Sequence, residues 1–311
     1  MNLLPTTLNL NFMRWGREAA VLSIAMMVIS LASLAWQGLK LGIDFSGGVL
    51  IEVGYTESPE LQEVRNTLEA AGFSGAVVQF YGTSTDVLVR LMPQQGAESD
   101  EVADTVLKAL TAQSAGAQMR RVEFVGPQVG KELTEKGGTA LLYALGLIFV
   151  YVLLRFHWKF SAGAVAALIH DVIITVGAFS LFQWEFDLTV LAAVLAVIGY
   201  SLNDTIVVFD RARENLRILR KRTPVEIMNI SINQTLSRTV MTGVTTLLVL
   251  MALFLLGGKA VAGFSLALII GILVGTYSSI FVAGNLAIWL GVEQADLMPP
   301  EKEDDDPAKY V

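Results

Sequence analysis

The chain has 311 residues, 53% of them hydrophobic and only 16% charged, with a mean hydropathy of +0.56. So few charges over so much apolar sequence exclude an ordinary soluble domain and point to a polytopic membrane protein. The formal net charge of −7 owes much to Glu301-Lys302-Glu303-Asp304-Asp305-Asp306, which reads as a solvated, disordered tail and does not indicate a partner. There is no cysteine and the only histidines are His157 and His170. Disulfides, thiolate catalysis and cysteine metal sites are therefore excluded, and a zinc centre is not expected. Neither a cofactor nor a nucleic-acid partner is expected.

Residues 1–18 form a short cytoplasmic lead carrying Arg14 and Arg17. The apolar run 19–36, Ala19 to Trp36, is just long enough to cross a bilayer at about 1.5 Å rise per residue. Ser33 and Ala35 sit at signal-peptidase spacing, but the long lead and full-length span favour an uncleaved anchor.

Residues 37–138 read as an inserted extracytoplasmic domain. Gly48–Tyr55 alternates like a strand, and Ser58-Pro59 opens a helix with Leu61, Val64, Leu68 and Ala71 on one face. Strands at Ala76–Tyr81 and Asp86–Leu91 flank a hairpin at Gly82–Thr85. A helix over Asp100–Ala112, with Val102, Val106 and Ala109 in register, precedes a last strand at Met119–Val125. The order βαββαβ predicts an α+β ferredoxin-like domain. It gathers no acids, bases or nucleophiles, so no chemistry is assigned to it.

Residues 139–290 hold five more spans: Thr139–Leu154, Ser161–Leu181, Leu188–Phe209, Thr239–Leu256 and Ala262–Leu290. The chain is thus predicted to be an α-helical six-span membrane protein with one inserted domain. Arginine and lysine collect on one side, in the lead, at Arg155 and Lys159, and in the basic loop 210–238. The positive-inside rule makes that side cytoplasmic, with both termini and the acidic tail 291–311. The loop arginines are explained by orientation alone, with anionic lipid or a cytoplasmic partner as the functional alternative. Thr223-Pro224-Val225-Glu226 is a capping box, so a helix starts in the cytoplasm and runs into the fifth span.

Three ionisable sites lie at membrane depth, where such groups are costly and mark pathways. Asp204 lies in the cytoplasmic half of the fourth span, and Arg238 enters the fifth from the cytoplasm. The antiparallel helices can bring them to similar depth as a buried pair. Thr235, Thr239, Thr242 and Thr246 recur at helical spacing beside Arg238, while Ser201 and Asn203 flank Asp204. Facing polar stripes of this kind would hold water. His170-Asp171 lies near the midplane, in the same wet interior or on a face toward a partner. Arginine keeps its proton, so Asp204 is the group that titrates, with burial and the guanidinium acting on it in opposite senses. The bland alternative is a static ion pair that fixes helix register.

Leu41-Gly42-Ile43-Asp44-Phe45-Ser46-Gly47-Gly48, Phe124-Val125-Gly126-Pro127, His170-Asp171 and the run Gly199–Glu214 together resemble the SecF family of bacterial protein export, within the proton-driven RND superfamily. The resemblance covers nearly the whole chain. It implies a non-enzymatic accessory subunit of the inner (plasma) membrane that works with SecD. Inward proton flow would be coupled to late-stage movement of preprotein leaving SecYEG, with YajC and YidC as further partners beside membrane lipid. The implied proton carriers fall on Asp204 and Arg238, and the implied family motif on Gly42, Asp44, Phe45, Gly47 and Gly48. The Gly47-Gly48 pair serves a tight start to a strand. With six spans and no internal repeat, the chain looks like one half of a twelve-span RND assembly. The alternatives are an RND-type half-transporter for a small molecule or lipid, and a structural partner without proton coupling of its own. An intramembrane aspartyl protease using Asp171 and Asp204 is disfavoured, because Arg238 would hold one acid ionised.

Overall fold

The computed structural model describes residues 9–92, 99–114, 116–219 and 221–293; the acidic run 301–306 and the first eight residues lie outside them. A 3₁₀ turn at Phe12–Trp15 leads into α1 (Gly16–Trp36). After it come a two-residue strand β1 (Lys40–Leu41), one helical turn α2 (Ile43–Ser46) and β2 (Gly48–Gly54). The inserted domain continues with α3 (Leu61–Ala70), β3 (Val77–Tyr81), β4 (Thr83–Leu91), α4 (Ser99–Gln113) and β5 (Gln118–Val125). Its sheet order is β3-β4-β2-β5 with every pair antiparallel, which is the ferredoxin-like arrangement expected from the element order. Ile51, Val53, Val64, Leu68, Val87, Val89, Val106 and Leu110 form its core between the sheet and the two helices.

Two local expectations need correction. The first helix begins at Leu61, because Pro59 and the extended Glu60 that caps it remain outside. The hairpin is tighter than expected, with Gly82 alone between β3 and β4 at φ 81°, a conformation that favours glycine.

The remaining helices are α5 (Pro127–Arg155), α6 (Trp158–Leu181), α7 (Leu188–Ile218), α8 (Pro224–Leu256) and α9 (Lys259–Ser278), with a short strand β6 (Glu185–Phe186) between α6 and α7. A π-helical turn, Ser279–Ala283, joins α9 to α10 (Gly284–Trp289), completing the last span. Among the described residues, six helices are long and apolar enough to cross a membrane. Helix is the form that satisfies every backbone polar group inside lipid.

All of the spans except α7 start earlier than the apolar runs suggest. Pro127 at the first turn opens α5 twelve residues before Thr139, and Thr223 and Glu226 complete a capping box that starts α8 at Pro224. The last span opens at Lys259, after Gly258 at φ 76°.

The bundle packs around α6, α7 and α9, where small residues let backbones approach. A Cβ at Gly271 of α9 would run into the side chain of Val197 on α7. By contrast, α5 and α8 leave most of their surface uncovered by this chain.

Candidate functional site

Asp204 is held deep in the bundle by regular α7 geometry. It lies sixteen residues beyond Leu188, or about 24 Å from the end of the span next to the inserted domain. Arg238 lies eighteen residues before Leu256, about 27 Å from the same side. The two therefore sit at matching depth on packed antiparallel helices, close enough for their charges to act on each other.

The pair is not symmetric, however. Asp204 is only 3% exposed, whereas Arg238 is exposed on the outer face of α8, and no ion pair joins them among the described residues. The expectation of two buried charges in contact is corrected accordingly. Arginine's long stem lets the head leave the bundle while the carboxyl stays inside.

Asp204 Oδ2 and the neighbouring Thr205 Oγ1 are buried without a hydrogen-bond partner. Buried polar atoms are nearly always satisfied, so these two call for a group outside this chain or for water. Asn203, one residue earlier, is exposed on the outside of the bundle.

The threonine stripe does less than its spacing suggests. Thr235, Thr242 and Thr246 return their hydroxyls to carbonyls one turn back, on Ser231, Arg238 and Thr242. Thr239 is buried and Thr242 and Thr246 are half-buried.

Ser201 belongs elsewhere. Its Oγ donates to Asp171 Oδ2 at 2.5 Å, and Ser278 Oγ on α9 donates to the same oxygen at 2.7 Å. His170 Nδ1 meets Asp171 Oδ1 at 2.9 Å. Asp171 is fully buried, so its carboxyl faces the interior of this chain and not a partner. It ties α6, α7 and α9 together, and each of its oxygens is engaged. Ser278 was the component missed from sequence, although Thr276-Tyr277-Ser278-Ser279 is a conspicuous polar interruption in an apolar span.

A second cluster of motif residues lies at the membrane end of the inserted domain. Gly47 and Gly48 adopt φ 69° and 126°, turning the chain sharply from α2 into β2. A Cβ at Gly130 of α5 would stand 2.9 Å from both Gly47 N and Phe45 O, so α5 crosses this turn at backbone contact. Gly42 N donates to Phe186 O at 2.8 Å, β1 pairs in parallel with β6, and the Phe45 and Phe186 rings lie 6.0 Å apart.

Asp44 Oδ2 accepts from Leu188 N at 2.9 Å, and Asp187 Oδ1 from Val190 N at 2.8 Å. Two carboxylates thus cap the N-terminus of α7, where the helix dipole favours negative charge. The motif Gly42–Gly48 is therefore a joint that fastens the inserted domain to the helix carrying Asp204.

Glu185 in β6 completes the joint, with Arg90 of β4 at 3.8 Å. Burial raises its carboxyl above the ordinary 4.5, with Arg90 pulling the other way. A raised value in the folded state gives stability that is fully present below the unfolded value and is lost as pH climbs through the folded one. Thermal unfolding of the parent should therefore occur at lower temperature as pH rises from about 4.5 toward neutral, by a fraction of a kcal/mol after solvent screening. Glu185→Gln should flatten that part of the profile, and an unchanged slope would remove Glu185 from the account.

The sequence profile of the family described as "Protein export membrane protein SecD/SecF, C-terminal" matches residues 105–293, which contain Asp171, Asp204 and Arg238. A second, "SecD/SecF GG Motif", matches residues 32–59, the span that holds the joint. The chain belongs to the SecF family of protein-export membrane proteins. It is 51% identical over 295 residues to "Protein translocase subunit SecF" of Vibrio alginolyticus, covering 94% of each chain. It is also 51% identical over 297 residues to the SecF of Pseudomonas aeruginosa, covering 95% of this chain and 96% of the relative.

Its fold is similar to the crystal structure of SecDF, a translocon-associated membrane protein from Thermus thermophilus, at TM-score 0.82 and 38% identity. That match covers 93% of this chain and 39% of the SecDF chain, so this SecF-family chain spans about two fifths of that polypeptide. SecDF in a super-membrane-facing form matches at TM-score 0.70 and 39% identity.

Proposed function

We propose that this chain is the SecF half of a SecD–SecF assembly in the bacterial inner membrane. Both termini would be cytoplasmic and the inserted domain periplasmic. In this reading it couples inward proton flow to the forward movement of preprotein leaving SecYEG, without enzymatic activity of its own. The observation that carries the reading is Asp204: a carboxyl at membrane depth, buried, with one oxygen lacking any partner and a guanidinium within electrostatic reach. A carboxyl serving only as structure would have its lone pairs filled, as those of Asp171 are.

The outward placement of Arg238 and Asn203, on a bundle whose α8 is largely uncovered, suits a second half that completes the site. Protonation would discharge Asp204 and remove the field that acts on Arg238. The resulting shift of α7 would reach the inserted domain through Asp44 and the glycine joint. One charge crossing the potential is worth about 2.3 kcal/mol per 100 mV, enough to tilt a bundle with two arrangements a few kcal/mol apart.

Proteoliposomes holding the channel, SecD and this chain provide the test. A gradient acid on the side of the inserted domain should speed completion of a preprotein already in transit, and a protonophore should cancel the gain. Equal rates with and without the gradient would overturn the coupling role.

A further inference from the structure

The His170 ring has a second edge that neither the Asp171 cluster nor the proton pair uses. Its Nδ1 faces inward to Asp171 at 2.9 Å, and its face stacks on Tyr277 with ring centroids 6.1 Å apart. The ring is therefore fixed in orientation. Nε2, on the opposite edge, is buried and has no partner, in a residue only 1% exposed. His170 lines a groove of about 300 Å³ between α1, α6 and the last span. The other walls are mostly apolar, among them Met27, Ala166, Phe281 and Leu286, with Ser23 and Asn285 as the polar exceptions. The π-helical turn that shapes one wall is a feature that recurs at functional sites.

We propose that this groove binds an apolar molecule dissolved in the bilayer that carries one hydroxyl, and that the hydroxyl donates to His170 Nε2. Three physical points select that class. With Nδ1–H donating to the carboxylate, Nε2 is the acceptor of the singly protonated ring, which a ligand hydroxyl meets as donor. The groove opens where Ile24 and Trp289 are 61% and 64% exposed on spanning helices, so its occupant arrives from lipid.

Among the described lining residues, His170 carries the fully buried polar side-chain atom that has no partner. Ser23 Oγ is engaged by Tyr277, and Asn285 Nδ2 by Phe281 O and Gly16 O. A pocket of this size, mostly apolar with one placed polar atom, is of the kind that takes a small ligand.

The test uses the full chain in lipid nanodiscs and two photoreactive probes, a ten-carbon alkyl diazirine alcohol and its methyl ether. The alcohol should label residues 20–27 and 281–289 at least fivefold more than the ether, which keeps the chain but lacks the donor. His170→Phe should bring the alcohol down to the level of the ether. Ala166→Leu, which fills the groove and leaves the polar cluster intact, should reduce labelling by both probes. Equal labelling by alcohol and ether in the parent would overturn the proposal. So would labelling spread evenly over the lipid-facing surface, the result expected if acyl chains alone occupy the groove.

Discussion

Asp204→Asn is expected to abolish the dependence of export on the proton gradient while leaving the fold intact. Asparagine keeps the size and shape of the side chain but can neither carry charge nor take up a proton. The native carboxyl makes no hydrogen bond through Oδ2, so its replacement strands no donor there. The loss is confined to the coupled step. If one charge moves per stroke, about 2.3 kcal/mol per 100 mV is forfeited, a factor of about fifty in driving force. The measurement is the rate of preprotein completion with and without the gradient, alongside the thermal unfolding of the purified chain. Retention of the gradient-dependent gain would remove Asp204 from the mechanism.

Asp171→Ala should do the opposite and lower stability. Three donors on three helices converge on this carboxyl: His170 Nδ1, Ser201 Oγ and Ser278 Oγ. Ser278 Oγ has a second acceptor in Gly275 O, but the other two would be left buried and unpaired. Each stranded polar group costs about 1–3 kcal/mol, so a loss of about 3 kcal/mol is expected. Thermal unfolding in mild detergent should show it as a clear fall in midpoint, against little change for Asp204→Asn. If both variants unfold together with the parent, the division between a positioning acid and a titrating acid fails.

That division was only half legible in the chain. Asp204, Arg238 and the His170-Asp171 dyad stand out because charges are rare at membrane depth. Spacing also places Asp204 and Arg238 at one level, since helical rise converts residue counts directly into depth. Spacing does not say which way a side chain turns relative to helices far away in sequence. Ser201 precedes Asp204 by three residues yet serves Asp171 thirty positions earlier, and the threonines near Arg238 bond largely to their own helix. The role of Asp44 was hidden for the same reason, because its acceptor oxygen meets a backbone amide 144 residues away.

Sequence by itself determined the six spans, the ferredoxin-like insert and the starts of helices such as α8. Each rests on local forces: apolar length against bilayer thickness, strand and helix periodicity, and side chains that cap adjacent amides. Only the tertiary structure decided which acid is saturated and which is left open, and that the glycine motif clamps the head of α7. Those outcomes depend on long-range contacts among packed helices, which no stretch of the chain encodes alone.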